Sequence, residues 1–207
     1  MSTSGSTPSA RERLWRSAER LIAEQGPAVP LRQVVAAAGQ RNSAAVHYYF
    51  GSREGLIEAI VQARQEDLER ERLALLAAYE ADGRTDLRAL VEVLLLPVFA
   101  QQRAEHPSFH ARFLEKVRDL PGIVAASRDR WPATTLIVQR LERALQGAEQ
   151  EAAALNRHRL RAVLTVVIAL LADLERTPFT DDDERKAAEA ETVTIVLGVL
   201  GAIAAPG

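Results

Sequence analysis

The chain contains no cysteine, which excludes a disulfide framework, a thiolate metal site and a cysteine nucleophile. Aromatic residues make up only 5%, and no segment alternates apolar and polar residues over the length of a strand, so an all-α fold is expected. Long hydrophobic runs are missing as well. The longest, residues 162–172 and 192–205, fall short of the roughly 20 residues that span a bilayer, and no membrane role is expected. The opening stretch MSTSGSTPSA has no apolar signal core and reads as a disordered leader over residues 1–9. Histidine is rare. His106 and His110 have the spacing of a helical metal pair, but Pro107 sets the helix start after His106, so the rings do not share a face. With no Ser–His–Asp or carboxylate–His constellation, the expectation is no enzyme, no metal and no cofactor.

What the chain does have is a large apolar fraction, 47% of 207 residues, enough for a sizeable core. Its charge is unevenly spread. Residues 1–55 hold seven arginines against four glutamates, a net of +3 that leaves −5 for the remainder of a chain whose total is −2. A basic N-terminal module on an acidic body suits local attraction to phosphate.

The stretch Leu31–Phe50 organises the rest. Leu31, Val34, Val35 and Ala38 share one helix face, Gly39 stops that helix, and the polar turn Gln40, Arg41, Asn42, Ser43 leads to a second short run from Ala44 to Phe50. Two short helices joined by a glycine turn make a helix-turn-helix, whose second helix suits the DNA major groove; an ordinary helical hairpin shares the pattern. A first helix from about Ser9 to Gln25 precedes it, with Leu14, Trp15, Ala18, Leu21 and Ile22 in one stripe and Gly26-Pro27 at its end. Ser52 follows as the N-cap of a long helix to about Tyr79, with Leu56, Ile60, Leu68 and Leu75 inward. Arg32, Arg41, Asn42, Ser43 and Arg53 form a polar set around the turn, placed to straddle a groove.

Residues 10–60 resemble the DNA-binding domain of the TetR family of bacterial transcriptional repressors. The resemblance rests on the three-helix core, Ala38-Gly39, the pair Tyr49-Phe50 and the run GSREGL from Gly51 to Leu56. The chain departs from the family at Val35, at Pro30, at His47 (usually a tyrosine) and in a turn one residue longer. The resemblance implies a helix-turn-helix DNA-binding domain at 10–55 and a larger helical ligand-binding and dimerisation domain at 56–207. It also implies a cytoplasmic, ligand-responsive repressor that binds a palindromic double-stranded DNA operator as a homodimer and is released by a small-molecule effector. Carried over by position, Arg32, Ala45, His47, Tyr48, Tyr49 and Arg53 are its DNA contacts. The alternative is a helical protein-interaction module without sequence-specific DNA binding.

Beyond Tyr79 the pattern stays helical. Pro97 is expected to kink a helix over 86–105, and a shorter helix is expected from Pro107 to about Asp119. One or two helices are expected over 123–147, with Pro132 in a first turn. His106, Phe109, His110, Phe113 and Trp131 are the candidate lining of an effector pocket, apolar with a few placed polar groups; core filling is the alternative for the aromatics. The last two helices are apolar nearly all round over Ala162–Leu174 and Thr192–Ile203, and such helices need cover on both sides. The expectation is a two-fold homodimer through Leu160, Val163, Val167, Leu170, Val196 and Leu200, with central core helices of a monomer as the alternative.

Overall fold

The computed structural model of the protein describes residues 8–42, 44–120, 131–145 and 153–204, with side chains at all of these except 145, 153–157, 159, 160, 203 and 204. All regular structure among them is helical. Helix α1, Ala10–Gln25, starts where Ser9 Oγ accepts from Glu12 N at 3.1 Å and stops at Gly26, whose φ of 90° only glycine adopts freely. Helices α2, Leu31–Ala37, and α3, Ala44–Phe50, follow. The 29-residue helix α4, Arg53–Ala81, is capped by Ser52 Oγ, which accepts from Gly55 N at 3.0 Å. Gly55 has its own reason: a Cβ there would lie 2.1 Å from the carbonyl oxygen of Phe50. The GSREGL run is thus a cap plus a close backbone approach.

The body comprises α5 (Leu87–Ala104), α6 (His110–Val117), α7 (Pro132–Leu145), α8 (Ala153–Arg176) and α9 (Asp182–Ala204). Asp86 caps α5 by accepting from Ala89 N at 2.9 Å, and Asp181 caps α9 by accepting from Asp183 N and Glu184 N at 3.0 and 2.8 Å. Two elements differ from the sequence expectation. Helix α5 is not interrupted at Pro97, which sits buried inside it. A helical proline removes one backbone bond; in the turn before it, Arg72 donates Nε and Nη2 to Leu94 O at 3.3 and 3.1 Å. Helix α6 starts at His110 and not at Pro107, with Phe109 at the N-cap position and no side-chain cap of its own. Glu175 of α8 supplies one, accepting from Ala111 N and Arg112 N at 3.0 and 2.9 Å. Pro132 is the first residue of α7, whose next amides are capped likewise from a distance, Ala133 N donating to Glu69 of α4 at 2.8 Å. Residues 123–130, in the expected helical stretch before it, lie outside the described residues.

Two apolar cores result. The first gathers Leu14, Ile22, Val34, Val46 and Ile57, and residues 10–55 do not close it: Phe113 and Val117 of α6 and Trp131 complete it. The second joins Leu68 and Leu76 of α4 to Phe99, Ile137, Leu171 and Leu200 of the body helices. Leu75 is only partly buried there.

The expected dimer set is corrected by this second core. Val163, Val167, Val196 and Leu200 are all buried within their own chain, and Leu170 is partly buried against the same cluster. Helix α8 packs on α6 and α9, and α9 also packs on α5, which consumes those faces internally. The side chain of Leu160 lies outside the described residues. The uncovered side consists instead of Ala162, Leu164 and Thr165 on α8 and Ile195, Gly198 and Ala202 on α9.

Candidate functional site

The α2–α3 turn is built by backbone geometry. Gly39 has φ 68°, Gly39 N donates to Ala36 O and Gln40 N to Val35 O, both at 3.0 Å. This paired closure is a Schellman motif, which satisfies the last carbonyls of α2 and aims the chain into α3. Asn42 Oδ1 accepts from Ala44 N at 2.9 Å, so this residue starts α3 while its amide NH2 stays free to face outward. Val46 plants the helix in the core, fully buried, with Phe50 one turn on beneath the guanidinium of Arg11 at 5.4 Å. The opposite face, Ala44, His47 and Tyr48, is exposed, Tyr48 at 82%.

The candidate contacts separate on this frame. Arg32, Arg41, His47 and Tyr48 are exposed at the α2–α3 edge, and among the described residues no ion pair engages either arginine. Tyr49 is 38% exposed and stacks edge-on against Tyr48 at 4.9 Å. Ala45 is turned aside, partly buried against the core; the outward small residue is Ala44. At about 100° per residue, Ala44 lies two steps from Val46 and so opposite it, whereas Ala45 lies only one step away, at the edge of the buried face. Arg53 is committed to the scaffold, its Nη1 donating to Pro27 O and Val29 O at 2.8 and 2.7 Å, which pins the α1–α2 loop to the start of α4. His47 donates Nδ1–H to Gly51 O at 2.8 Å, leaving Nε2 toward solvent. Ser43 lies outside the described residues.

A buried charge cluster joins this reading head to the body. Arg64 of α4 donates Nε and Nη2 to the two oxygens of Glu19 at 2.9 and 2.6 Å, pairs with Glu105 at 2.6 Å and lies over the Trp15 ring at 5.2 Å. His110 of α6 donates Nδ1–H to Glu19 Oε1 at 3.1 Å. Burial alone would raise the Glu19 carboxyl, but the hydrogen bonds from His110 and Arg64 outweigh it and hold it below its usual value. Burial works to lower Arg64, and Glu19 with Glu105 reverses this and raises it. The cluster ties α1, α4, the end of α5 and α6 at one point.

Behind it, between α4, α5, α6 and α8, is an apolar cavity of about 180 Å³. The five expected pocket residues do not gather there. His110 and Trp131 line it. His106 and Phe109 line a separate, open polar cleft against α1, beside Arg16 and Glu105. Phe113 lines neither; it is fully buried in the first core, because α6 turns that face to α1, so its truncation would test folding and not ligand response. The polar edge of the cavity is Arg72, which donates Nη1 to Gln65 Oε1 and Thr134 Oγ1 at 3.1 and 2.9 Å. Glu19, Arg64 and Arg72 were not among the sequence candidates. Their signal was present: Glu19 falls in the α1 stripe between Trp15 and Ile22, and Arg64 continues the stripe Ile57, Ile60, Val61. A charge on an apolar face marks a buried pair.

Among the described residues, no group of three histidines or carboxylates is placed to hold a metal ion, and no helix is long and apolar enough to cross a membrane. The family model described as bacterial regulatory proteins, tetR family, matches residues 14–60, from the first buried leucine of α1 through Ile60 of α4. No curated protein matches the chain.

Proposed function

We propose that this chain, a DNA-binding transcriptional regulator of the tetR family, is a cytoplasmic repressor that holds a palindromic operator as a homodimer and releases it when a small molecule fills the cavity of its helical body. The observation that carries the reading is the outward face of α3. Ala44, His47 and Tyr48 stand uncovered on a helix whose other side is anchored by Val46. Such a helix offers a methyl, a ring nitrogen and a phenol to base edges and phosphates, while Arg32 and Arg41 flank it and supply phosphate contacts. The Glu19–Arg64–His110 cluster supports ligand response, since it connects the cavity wall to α1 through buried, directional bonds. A ligand preferring one arrangement of that connection shifts the DNA-binding equilibrium by its differential affinity.

Dimerisation takes the uncovered side of the last two helices, Ile195, Gly198 and Ala202 with Ala162 and Thr165. A Cβ at Gly198 or Gly201 would meet nothing within 4 Å, so the face leaves room for close approach of a second copy. Two-fold pairing presents two α3 helices to successive major grooves, with half-sites spaced by about 34 Å or a multiple. Selection from random duplex DNA tests the reading: an enriched palindrome is expected, with affinity falling steeply with salt, and no enriched motif at low salt would overturn it. Light scattering tests the dimer. Ile195→Glu should give a folded monomer, whereas the adjacent Val196→Glu should unfold the chain because it buries an unpaired charge. A wild-type monomer mass at micromolar concentration would remove the dimer.

A further inference from the structure

The cavity is walled by carbon except at a few points, and the charged groups among the described residues that line it are all basic. Arg72 and Arg118 reach it, with His110, and no carboxylate does. Its size limits the occupant. An apolar cavity of about 150 Å³ holds benzene, so about 180 Å³ accommodates one ring, or a short acyl chain, with a small head group.

Of the polar groups at depth, Arg72 is committed to Leu94, Gln65 and Thr134. His110 is not. The residue lines the cavity and is 3% exposed, Nδ1 is turned to Glu19, and Nε2 is buried without a hydrogen-bond partner. Carboxylates accept only, so the proton on Nδ1 is fixed by Glu19. The charges grouped around this point are Glu19 from α1, Arg64 and Arg72 from α4, Glu105 after α5, Arg118 just past α6 and Glu175 from α8, which caps the start of α6. Arg64 is shared by two carboxylates, Glu19 and Glu105.

We propose that His110 reads the effector, and that the effector is a small apolar carboxylic acid, with one aromatic ring or a short acyl chain, whose carboxylate pairs with His110 Nε2–H while its carbon body fills the cavity. Bound as the neutral acid, the ligand gives its proton to Nε2 and keeps the O–H electron pair; bound as the anion, it brings a proton from water onto Nε2. Both routes end in the same ion pair, with the ring between the ligand carboxylate and Glu19. The signal then has a physical carrier, because the bond from α6 to α1 becomes charge-assisted on both sides. This deepens the ligand response proposed above and rests on it.

The test uses the full chain with benzoate and hexanoate as probes and benzamide and benzylamine as controls of the same shape, followed by calorimetry and by 15N resonances of the histidine rings. Benzoate or hexanoate should bind at least tenfold tighter than benzamide, benzylamine should not bind, and one histidine Nε2 should move to its imidazolium position on binding. His110→Gln should weaken the acid at least tenfold and leave benzamide unchanged. Should that variant not fold, the wild-type resonances decide alone, and acid binding without a histidine shift overturns the assignment. Equal affinity for benzamide, or no binding of either acid, overturns it as well. Operator affinity is read separately. An acid that binds with the histidine shift but leaves DNA affinity unchanged supports this site and overturns the ligand-response reading; release of DNA by benzamide alone does the reverse.

Discussion

Helix α4 buries two arginines along its middle, Arg64 and Arg72, and their surroundings treat them in opposite ways. On the DNA-reading side, Arg64 is 6% exposed and faces the carboxylates of Glu19 and Glu105. In the body, Arg72 is 5% exposed and is held by neutral oxygens of Leu94, Gln65 and Thr134. Its nearest carboxylate, Glu69, stays 3.9 Å away and is occupied in capping α7. The consequences diverge. Arg64 is held more firmly cationic than usual, whereas burial pulls Arg72 down to about 10, with Glu69 and Glu71 only partly offsetting it. The first arginine is a lock that joins the reading head to α6. The second is a brace around the cavity, its charge met by Glu69 only at 3.9 Å. Residue type alone does not set the role; the partners do.

Breaking the lock should have the largest effect. Arg64→Met leaves Glu19 buried with its charge unmatched, and urea denaturation should show a loss of about 3–5 kcal/mol. Adding Glu19→Met should recover much of that loss, since a buried pair replaced by apolar side chains is often neutral. Arg72→Met should cost less, about 1–3 kcal/mol, because it strands neutral hydrogen-bond acceptors while Glu69 keeps its bonds to the start of α7. Equal losses for the two single variants would erase the contrast between lock and brace. The smallest effect is a pH dependence. The folded Glu19 carboxyl lies below its usual 4.5, so its contribution is fully present above that value and is lost as pH falls through the lowered one. Thermal unfolding between pH 6 and pH 3 should show this loss, and Glu19→Gln should flatten it; an unchanged slope would mean that the pair is not ionised in the fold.

Both regions also show what periodicity conveys. The stripes of α1, α2 and α3 were legible because each short helix faces a single core, so apolar spacing maps directly onto burial, as at Leu14, Val34 and Val46. The same rule misled at the last two helices. Apolar residues all round announce two covered sides, but not which side α5 and α6 cover and which is left open, and Val196, expected at the dimer face, faces inward. The pocket misled for a related reason. Phe109 and Phe113 have helical spacing, yet α6 starts after Phe109, so the two rings go to different places.

The caps at Ser9, Ser52 and Asp86, the glycine turns at Gly26 and Gly39, and hence the helix-turn-helix follow from local sequence, because each depends on groups within five residues of one another. How α6 and α7 begin is set by packing. Neither has a local side-chain cap in view, and their amides are met by Glu175 and Glu69, more than 60 residues away in the chain. Packing also makes Glu19, Arg64 and His110 meet, and leaves His110 Nε2 buried without a partner. The physical reason is common to all of these. A buried polar group must find a partner, and which one lies within reach is a property of how the helices pack, not of sequence spacing.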